Sequence, residues 1–287
     1  MNTFNKTKSI LNKYNIKANK RFGQNFLIDD NILMDIINVS NITKEDLVIE
    51  IGPGLGNLTS YILDKAGYAL LIEIDTNMIN ILNDRFVNYN NYTLINQDIL
   101  KIDIDKKIKE IEEKLEVKFR KVKVVANLPY YITTPIIFKL LQDENRIDYI
   151  TVMVQKEVAE RMVAKSNTKD YGILTLMVKY LSNANIEFTV PKESFIPAPN
   201  VTSAIISLAK NKKYQVENEK LFFELIHSSF AQRRKTMINS LTSTKYNNFD
   251  KQSLNDIFEK LNIDKNTRAE QLEIEDFIKI SDFINKY

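Results

Sequence analysis

A short polar stretch, Asn127-Leu128-Pro129-Tyr130, carries the groups in this chain best suited to chemistry. It directly follows residues 122–126, an apolar and β-branched run typical of a buried strand. Asn127 supplies an amide oxygen, Tyr130 supplies a flat ring, and the proline biases Leu128 so that its carbonyl can point outward. Two acceptors beside a ring could hold a planar base that bears an amino group. An ordinary strand-end turn with Tyr130 packed in the core is the alternative.

A glycine cluster forms the second candidate. Three of the chain's six glycines, Gly52, Gly54 and Gly56, follow a predicted buried strand and precede a helical segment. In that position glycines permit a tight turn and let a ligand approach the backbone. The spacing is G-x-G-x-G, and neither the dinucleotide fingerprint nor a phosphate-binding P-loop occurs in the chain. The pattern therefore predicts a ligand loop without a pyrophosphate cradle.

Two acids come at the ends of the next two predicted strands. Glu73 lies about twenty residues past Gly52, where an acid that binds ribose hydroxyls is expected. Asp98 follows the third strand, and its carboxylate could accept from an adenine amino group. Because parallel strands end at one edge of a sheet, these acids predict an adenosine site. An acid-lined adenosine pocket suits a cation such as S-adenosylmethionine, whose sulfonium needs no phosphate cradle.

The elements that must position these residues alternate along the chain. Strand-like runs occur at 47–51, 68–74, 92–95, 121–126 and 149–154, with a closing pair at 184–190 and 203–209. Amphipathic helical segments separate the first five. This order predicts a Rossmann-like α/β fold, with a doubly wound sheet that is mostly parallel and has an antiparallel strand.

A change of composition divides the chain near residue 210. From there to the end no glycine or proline occurs, and the apolar spacing becomes helical. We expect a catalytic, cofactor-binding domain over 1–209 and a small all-α, RNA-binding domain over 210–287. Residues 1–28 contain several lysines and no acid, which predicts a basic N-terminal arm.

Composition excludes several classes of chemistry. The chain has no cysteine and a single histidine, so a thiol nucleophile and histidine- or cysteine-based metal sites are excluded, and no metal is expected. The net charge is only +3, so affinity for nucleic acid would have to come from local basic patches. No apolar run is long enough to span a membrane and no signal peptide opens the chain. We expect a cytoplasmic monomer.

Together these motifs resemble the rRNA adenine dimethyltransferases. The likeness runs from about residue 18 to the end and includes Gln24-Asn25-Phe26-Leu27 and Phe195-x-Pro-x-Pro-x-Val-x-Ser. The stretches 155–161 and 230–236 are similar to the KsgA type, which acts on small-subunit ribosomal RNA. They are less like the erythromycin-resistance (Erm) branch, which acts on large-subunit RNA. The first 17 residues carry no family signature.

The resemblance implies roles for particular residues. S-adenosylmethionine would be bound by Asn25, Leu27, Gly52, Gly54, Glu73, Ile74, Asp98, Ile99 and Asn127. The target adenine would be held by Asn127, Leu128 and Tyr130, with Phe195 as a second aromatic wall. RNA phosphates would be contacted by Lys20, Arg21, Arg233, Arg234 and Lys235.

The implied reaction is dimethylation of the 6-amino groups of two adjacent adenosines. These lie in a 3′-terminal hairpin loop of 16S rRNA, within the small (30S) ribosomal subunit or its precursor. Two alternatives stay open. One is an Erm-type 23S rRNA adenine methyltransferase, and the other is a non-catalytic RNA-binding assembly or transcription factor on the same fold.

Overall fold

The chain folds into two compact units. The computed structural model describes residues 2–16, 23–142, 144–232, 234–246 and 249–286. The first unit comprises Met1–Ala159 and Ala184–Lys210, and the second comprises Glu160–Asn183 and Asn211–Tyr287. Within the described residues, no helix is both long and apolar enough to cross a membrane.

A seven-stranded sheet forms the centre of the first unit. Its strands are β2 Asp46–Ile51, β3 Tyr68–Glu73, β4 Tyr92–Asn96, β5 Lys121–Asn127, β6 Tyr149–Gln155, β7 Ser182–Val190 and β9 Ser203–Lys210. A separate antiparallel pair joins β1 Phe26–Leu27 to β8 Phe195–Ile196. The sheet order is β4-β3-β2-β5-β6-β9-β7, with β2 to β6 parallel and β9 antiparallel to β6. The predicted fold class is confirmed.

Helices cover the sheet and separate the parallel strands. They are α1 Thr3–Lys13, α2 Asp30–Ser40, α3 Asn57–Lys65, α4 Thr76–Arg85, α5 Ile104–Leu115, α6 Thr133–Gln142 and α7 Lys156–Met162. Asp29, Asp75 and Asp103 cap α2, α4 and α5 by accepting backbone N–H groups, as N-cap carboxylates do. Every residue of β2 and β3 is buried, which agrees with their mostly apolar sequences and includes the acids Asp46, Glu50 and Glu73.

The N-terminal segment differs from the predicted arm. Residues of α1 dock on the first unit: Thr7 is fully buried, and Ile10 and Leu11 pack against an apolar cluster that contains Phe26 and Leu55. Lys13 pairs with the Asp84 carboxylate at 2.8 Å. The lysine-rich composition did not indicate this helix. Its buried face includes threonines, and a search for periodic apolar residues does not detect such a face.

The second unit is helical. It contains α8 Ile173–Leu181, α9 Glu219–Ser229, α10 Met237–Ser243, α11 Lys251–Lys260 and α12 Ile274–Asn285. The sequence division at 209/210 did not assign residues 160–183 to this unit. They belong with it because α8 shares its core: the Tyr180 and Phe222 rings lie 4.8 Å apart.

Candidate cofactor and substrate site

A cavity opens at the carboxyl edge of the parallel strands. Its empty space, including the open solvent at its mouth, amounts to about 1060 Å³. Its lining includes these predicted residues: Asn25, Leu27, Gly52, Gly54, Glu73, Ile74, Asp98, Ile99, Asn127, Leu128 and Tyr130. Residues separated by more than 100 positions in the sequence therefore meet at one site.

The glycine loop after β2 is a turn that other residues would strain. Gly52, Gly54 and Gly56 all have positive φ angles, of 66°, 57° and 82°. A Cβ atom at Gly56 would lie 2.6 Å from the Phe86 ring, so no side chain fits there. At Gly52 no atom lies within 4 Å of that position, which leaves the backbone open towards a ligand.

Glu73, the last residue of β3, is held under this loop. Its carboxylate accepts the Gly54 N–H at 3.0 Å and the Asp75 N–H at 2.9 Å. Burial raises the pKa of Glu73 above its usual value, although these backbone hydrogen bonds act in the opposite direction. Each carboxylate oxygen keeps a further lone pair, as an acceptor for the hydroxyl groups of a ligand would require.

A second buried acid, Glu50, lies on β2 beneath the same loop. It lines the cavity and accepts the Thr59 hydroxyl at 2.6 Å. Burial, with a smaller contribution from the neighbouring Glu73, raises the pKa of Glu50 to about 8. Glu50 is therefore largely protonated at neutral pH. Its position inside an apolar strand was a signal that the sequence reading did not use.

The charges around the cavity are one-sided. Its acids are Glu50, Glu73 and Asp98, and no lysine or arginine occurs among the lining residues within the described ranges. No ion pair joins any of these three acids to a cation of the described chain, although Arg85 attracts Glu50 at longer range. The described lining residues therefore offer a phosphate-bearing ligand no cation. This set of lining residues fits a positively charged nucleoside such as S-adenosylmethionine.

The far side of the cavity combines an apolar surface with an acid. Ile74 is exposed and Ile99 is buried, and both line the cavity. Asp98 caps the short helix Ile99–Lys101 by accepting the Leu100 N–H at 3.0 Å, which fixes its carboxylate at the rim. An aliphatic face next to a fixed carboxylate would suit an adenine ring and its amino group.

Asn127, the last residue of β5, is oriented by its neighbours. Its side-chain N–H donates to the Asn25 carbonyl at 3.1 Å, and the Asn25 side chain in turn donates to the Gly23 carbonyl. Because the amide nitrogen is engaged in this way, the amide oxygen of Asn127 is left to accept a hydrogen bond. Asn25 thus positions Asn127 through its backbone carbonyl.

The two residues that follow Asn127 in the motif are also fixed. The Leu128 N–H donates to the Met153 carbonyl at 3.1 Å. The Leu128 carbonyl accepts no hydrogen bond from the described part of the chain. The Tyr130 hydroxyl lies 2.5 Å from the Ser203 hydroxyl, and burial raises the pKa of Tyr130. Tyr130 therefore stays protonated at neutral pH, with its ring at the cavity and its hydroxyl anchored on β9.

Phe195, which the resemblance predicts as a second aromatic wall, is not among the described residues that line the cavity. The side chain is 3 % exposed and belongs to a core cluster with Leu27 and Leu33. Its backbone pairs with Leu27 in the β1–β8 ribbon. The Phe195 ring therefore packs in the core of the first unit.

Of the predicted RNA-binding cations, the structure describes Arg234 and Lys235, and neither lines this cavity. Lys20, Arg21 and Arg233 lie outside the described residues. Arg234 and Lys235 are exposed in the loop before α10 in the second unit. Their contact with RNA stays a prediction.

One site residue went unnoticed in the sequence. Asn57 lines the cavity, and its side-chain N–H donates to the Thr7 hydroxyl and to the Leu27 carbonyl, each at 2.9 Å. It also accepts a hydrogen bond from Arg85 at 3.4 Å. Asn57 thus ties α1 and β1 to the cofactor loop through contacts that only the tertiary structure reveals.

The sheet order, the glycine loop and the acid-lined cavity together define a Rossmann-like, S-adenosylmethionine-dependent methyltransferase. The family model described as ribosomal RNA adenine dimethylase matches residues 15–286. A Clostridium botulinum protein named ribosomal RNA small subunit methyltransferase A is 48% identical over 280 residues, covering 97% of this chain and 98% of that protein. The chain belongs to the ribosomal RNA adenine dimethylase family.

Solved structures agree with the fold. A Plasmodium falciparum dimethyladenosine transferase matches with a TM-score of 0.76 and 30% identity, covering 91% of this chain and 98% of that one. The 23S rRNA methyltransferase ErmE matches with a TM-score of 0.64 and 21% identity, covering 91% of this chain and 100% of that one. At that identity the second likeness concerns the fold alone.

Proposed function

We propose that this chain uses S-adenosylmethionine to dimethylate the 6-amino groups of two adjacent adenosines. The substrate is the 3′-terminal hairpin loop of 16S rRNA in the small ribosomal subunit or its precursor. The observation that carries this proposal is the shared cavity, in which the Asn127 amide oxygen meets three acids and no cation from the described residues. The 48% identity to a small-subunit methyltransferase supports the choice of RNA.

In this proposal the cofactor lies across the carboxyl edge. Glu73 accepts the ribose hydroxyls, and Asp98 accepts the adenine amino group while Ile74 and Ile99 flank the ring. Gly52, Gly54 and the strand residue Leu27 let the remainder of the ligand lie against backbone. When bound, S-adenosylmethionine supplies an electrophilic methyl group on a positively charged sulfur.

The 6-amino nitrogen of adenine is a weak nucleophile because its lone pair is delocalised into the ring. The Asn127 amide oxygen and the Leu128 carbonyl accept the two amino hydrogens, which favours a localised, tetrahedral lone pair. These two acceptors would aim the lone pair at the methyl group that S-adenosylmethionine would supply, and the electrons of the broken C–S bond would stay on sulfur in the product S-adenosylhomocysteine. The cationic amine then loses a proton to water, so no strong base is needed. Alignment of the reacting atoms provides most of the acceleration.

The second methylation imposes one further condition. After the first transfer the amine keeps a single hydrogen, so only one of the two acceptors is used. The pocket around Tyr130 must then accommodate the first methyl group. The target base must be unpaired or extruded, since its amino group is engaged in a duplex.

The remainder of the proposal concerns the setting of the reaction. The exposed cations Arg234 and Lys235, together with Lys20, Arg21 and Arg233, contact phosphates without reading sequence. The enzyme acts as a monomer in the cytoplasm, where small subunits are assembled.

Replacing Asn127 with alanine tests the site. We expect kcat for methyl transfer to fall by about 100-fold or more, with the affinity for S-adenosylmethionine changed much less. The measurement uses tritiated S-adenosylmethionine and small subunits that lack the modification. Asn38→Ala, at an exposed position on α2, is the matched control and should keep wild-type turnover. Equal turnover in Asn127→Ala and wild type would remove the proposed role of Asn127.

The same assay separates the alternatives. Mass mapping of methylated adenines after incubation with small subunits or with bare 23S rRNA identifies the substrate. We expect two adjacent dimethyladenosines in the small subunit and none in the 23S rRNA. Methylation of 23S rRNA alone would indicate an Erm-type enzyme, and no transfer to either RNA would favour a non-catalytic factor.

A further inference from the structure

The motif that ends β5 continues into a second tyrosine, and the two rings have different surroundings. Tyr130 is partly buried and its hydroxyl is held by Ser203 at 2.5 Å. Tyr131 is 58 % exposed, yet it lines the same cavity as Tyr130. An exposed residue that also lines the cavity lies at its rim, so one tyrosine belongs to the interior of the site and the other to its mouth.

The Tyr131 ring lies beside the loop that precedes β1. A Cβ atom at Gly23 would lie 3.4 Å from the Cδ1 atom of Tyr131, so the ring runs close along the Gly23 backbone. Gly23 has a φ angle of 60°, which favours glycine and keeps that flank free of a side chain. One side of the ring is therefore supported while most of it stays open to solvent.

Tyr131 has no side-chain partner in the part of the chain that the structure describes. Among the described residues, its ring forms no aromatic or cation–π contact and its hydroxyl makes no hydrogen bond. The exposed ring is therefore available to stack on a nucleobase that arrives at the cavity mouth. The nearby Phe195, in contrast, is already covered by the core.

We propose that Tyr131 forms a subsite for the nucleobase adjacent to the target adenine, which stacks on the exposed ring at the cavity mouth. This inference rests on the proposed function. When one of two adjacent adenosines enters the cavity next to Tyr130, the other stays outside, and Tyr131 offers it a flat face. Every base has a π-face, so the subsite supports either adenosine in turn without reading its identity.

Substitution of Tyr131 provides the first test. Tyr131→Ala should raise KM for the small subunit by roughly 5- to 100-fold, the range that loss of one base–aromatic stack produces. Tyr131→Phe keeps the ring and should stay within about twofold of wild type. The affinity for S-adenosylmethionine should not change in either variant. The matched control is Tyr149→Ala, since Tyr149 is 44 % exposed at the opposite, amino end of the sheet.

An altered RNA gives the decisive comparison. Small subunits reconstituted around a synthetic 3′ hairpin can carry an abasic residue in place of the base next to the target. For the wild-type enzyme, KM should rise by the same factor that Tyr131→Ala causes on the natural RNA. For Tyr131→Ala, the abasic substitution should have no additional effect.

The outcomes distinguish this inference from the proposed function. If the abasic substitution raises KM equally for wild type and Tyr131→Ala, the ring does not touch that base and the subsite is wrong. A Tyr131→Phe variant as weak as Tyr131→Ala would also overturn it, since the ring alone would not account for binding. If the wild-type enzyme transfers no methyl group to the natural RNA, the proposed function fails instead.

Discussion

The two ends of the parallel sheet carry the same types of charged residue in opposite arrangements. At the amino end, the Lys123 ammonium lies 2.9 Å from the Asp46 carboxylate, with both side chains buried. Lys121 pairs with Asp148 at 2.8 Å nearby. At the carboxyl end, Glu50 and Glu73 are buried with hydroxyl or backbone N–H partners only, and the described chain offers them no ion pair.

The difference separates charges that serve the fold from charges that serve a ligand. Buried ions of opposite sign neutralise one another at the amino end. At the carboxyl end, burying acids without a counter-ion raises the cost of folding. Glu50 stays largely protonated at neutral pH, and the ionised form of Glu73 gives a negative charge that a cationic ligand can complete. Functional sites commonly reduce stability in this way. Isosteric amide substitutions should therefore have opposite effects at the two ends.

The largest effect is expected at the amino end. Asp46→Asn removes the charge but keeps the shape and an oxygen that can accept the Thr43 N–H. It leaves the Lys123 ammonium buried without its counter-ion, which should lower the free energy of unfolding by roughly 3–5 kcal/mol. Urea unfolding measures the change.

An exposed pair at the same end provides the control. Glu45 and Arg120 are 3.0 Å apart, with both side chains more than half exposed. Glu45→Gln should therefore change the free energy of unfolding by less than about 1 kcal/mol. Equal effects of the two substitutions would contradict the idea that burial makes the Asp46 pair important.

At the carboxyl end, Glu50→Gln should stabilise the protein. The pKa of Glu50 is about 8 in the folded chain, against an ordinary value of 4.5. The wild type therefore loses stability as pH rises from 4.5 to 8, because the unfolded chain releases a proton that the folded chain keeps. Glutamine has no such loss, so the variant should be more stable at pH 7 by on the order of 3 kcal/mol.

The pH dependence tests this assignment. Urea unfolding of Glu50→Gln and wild type should give similar free energies near pH 4, and the difference should grow as pH rises to 8. A variant that is destabilised by the same amount at every pH would mean that Glu50 supports the fold as an ordinary carboxylate.

The predictable part of the site came from strand ends. Glycine, acid and amide residues each follow a short apolar run, and parallel topology brings successive carboxyl ends to one edge. Local spacing was therefore enough to identify Gly52, Glu73, Asp98 and Asn127 as neighbours. The strands appeared within about two residues of their predicted bounds because each is a distinct apolar run.

What the sequence could not predict depends on contacts between distant segments. The docking of α1 requires Thr7 to meet Asn57, and no local pattern of apolar residues encodes that hydrogen bond. The burial of Phe195 depends on its pairing with Leu27. Residues 160–183 belong with the second unit because Tyr180 packs on Phe222. In the sequence, strands β7 and β9 separate these two residues.

The central claim is that a nucleoside cation lies on the acids of the carboxyl end, and its most direct test is calorimetric titration with S-adenosylmethionine as the pH is lowered from 7. Burial raises the pKa of Glu73, and the ionised form accepts the ribose hydroxyls. Affinity should therefore fall by up to tenfold per pH unit as pH drops below that raised pKa. Glu50→Gln should keep this dependence, whereas Glu73→Gln should bind more weakly at pH 7 and lose it. Equal affinity and equal pH dependence in wild type and Glu73→Gln would contradict the account.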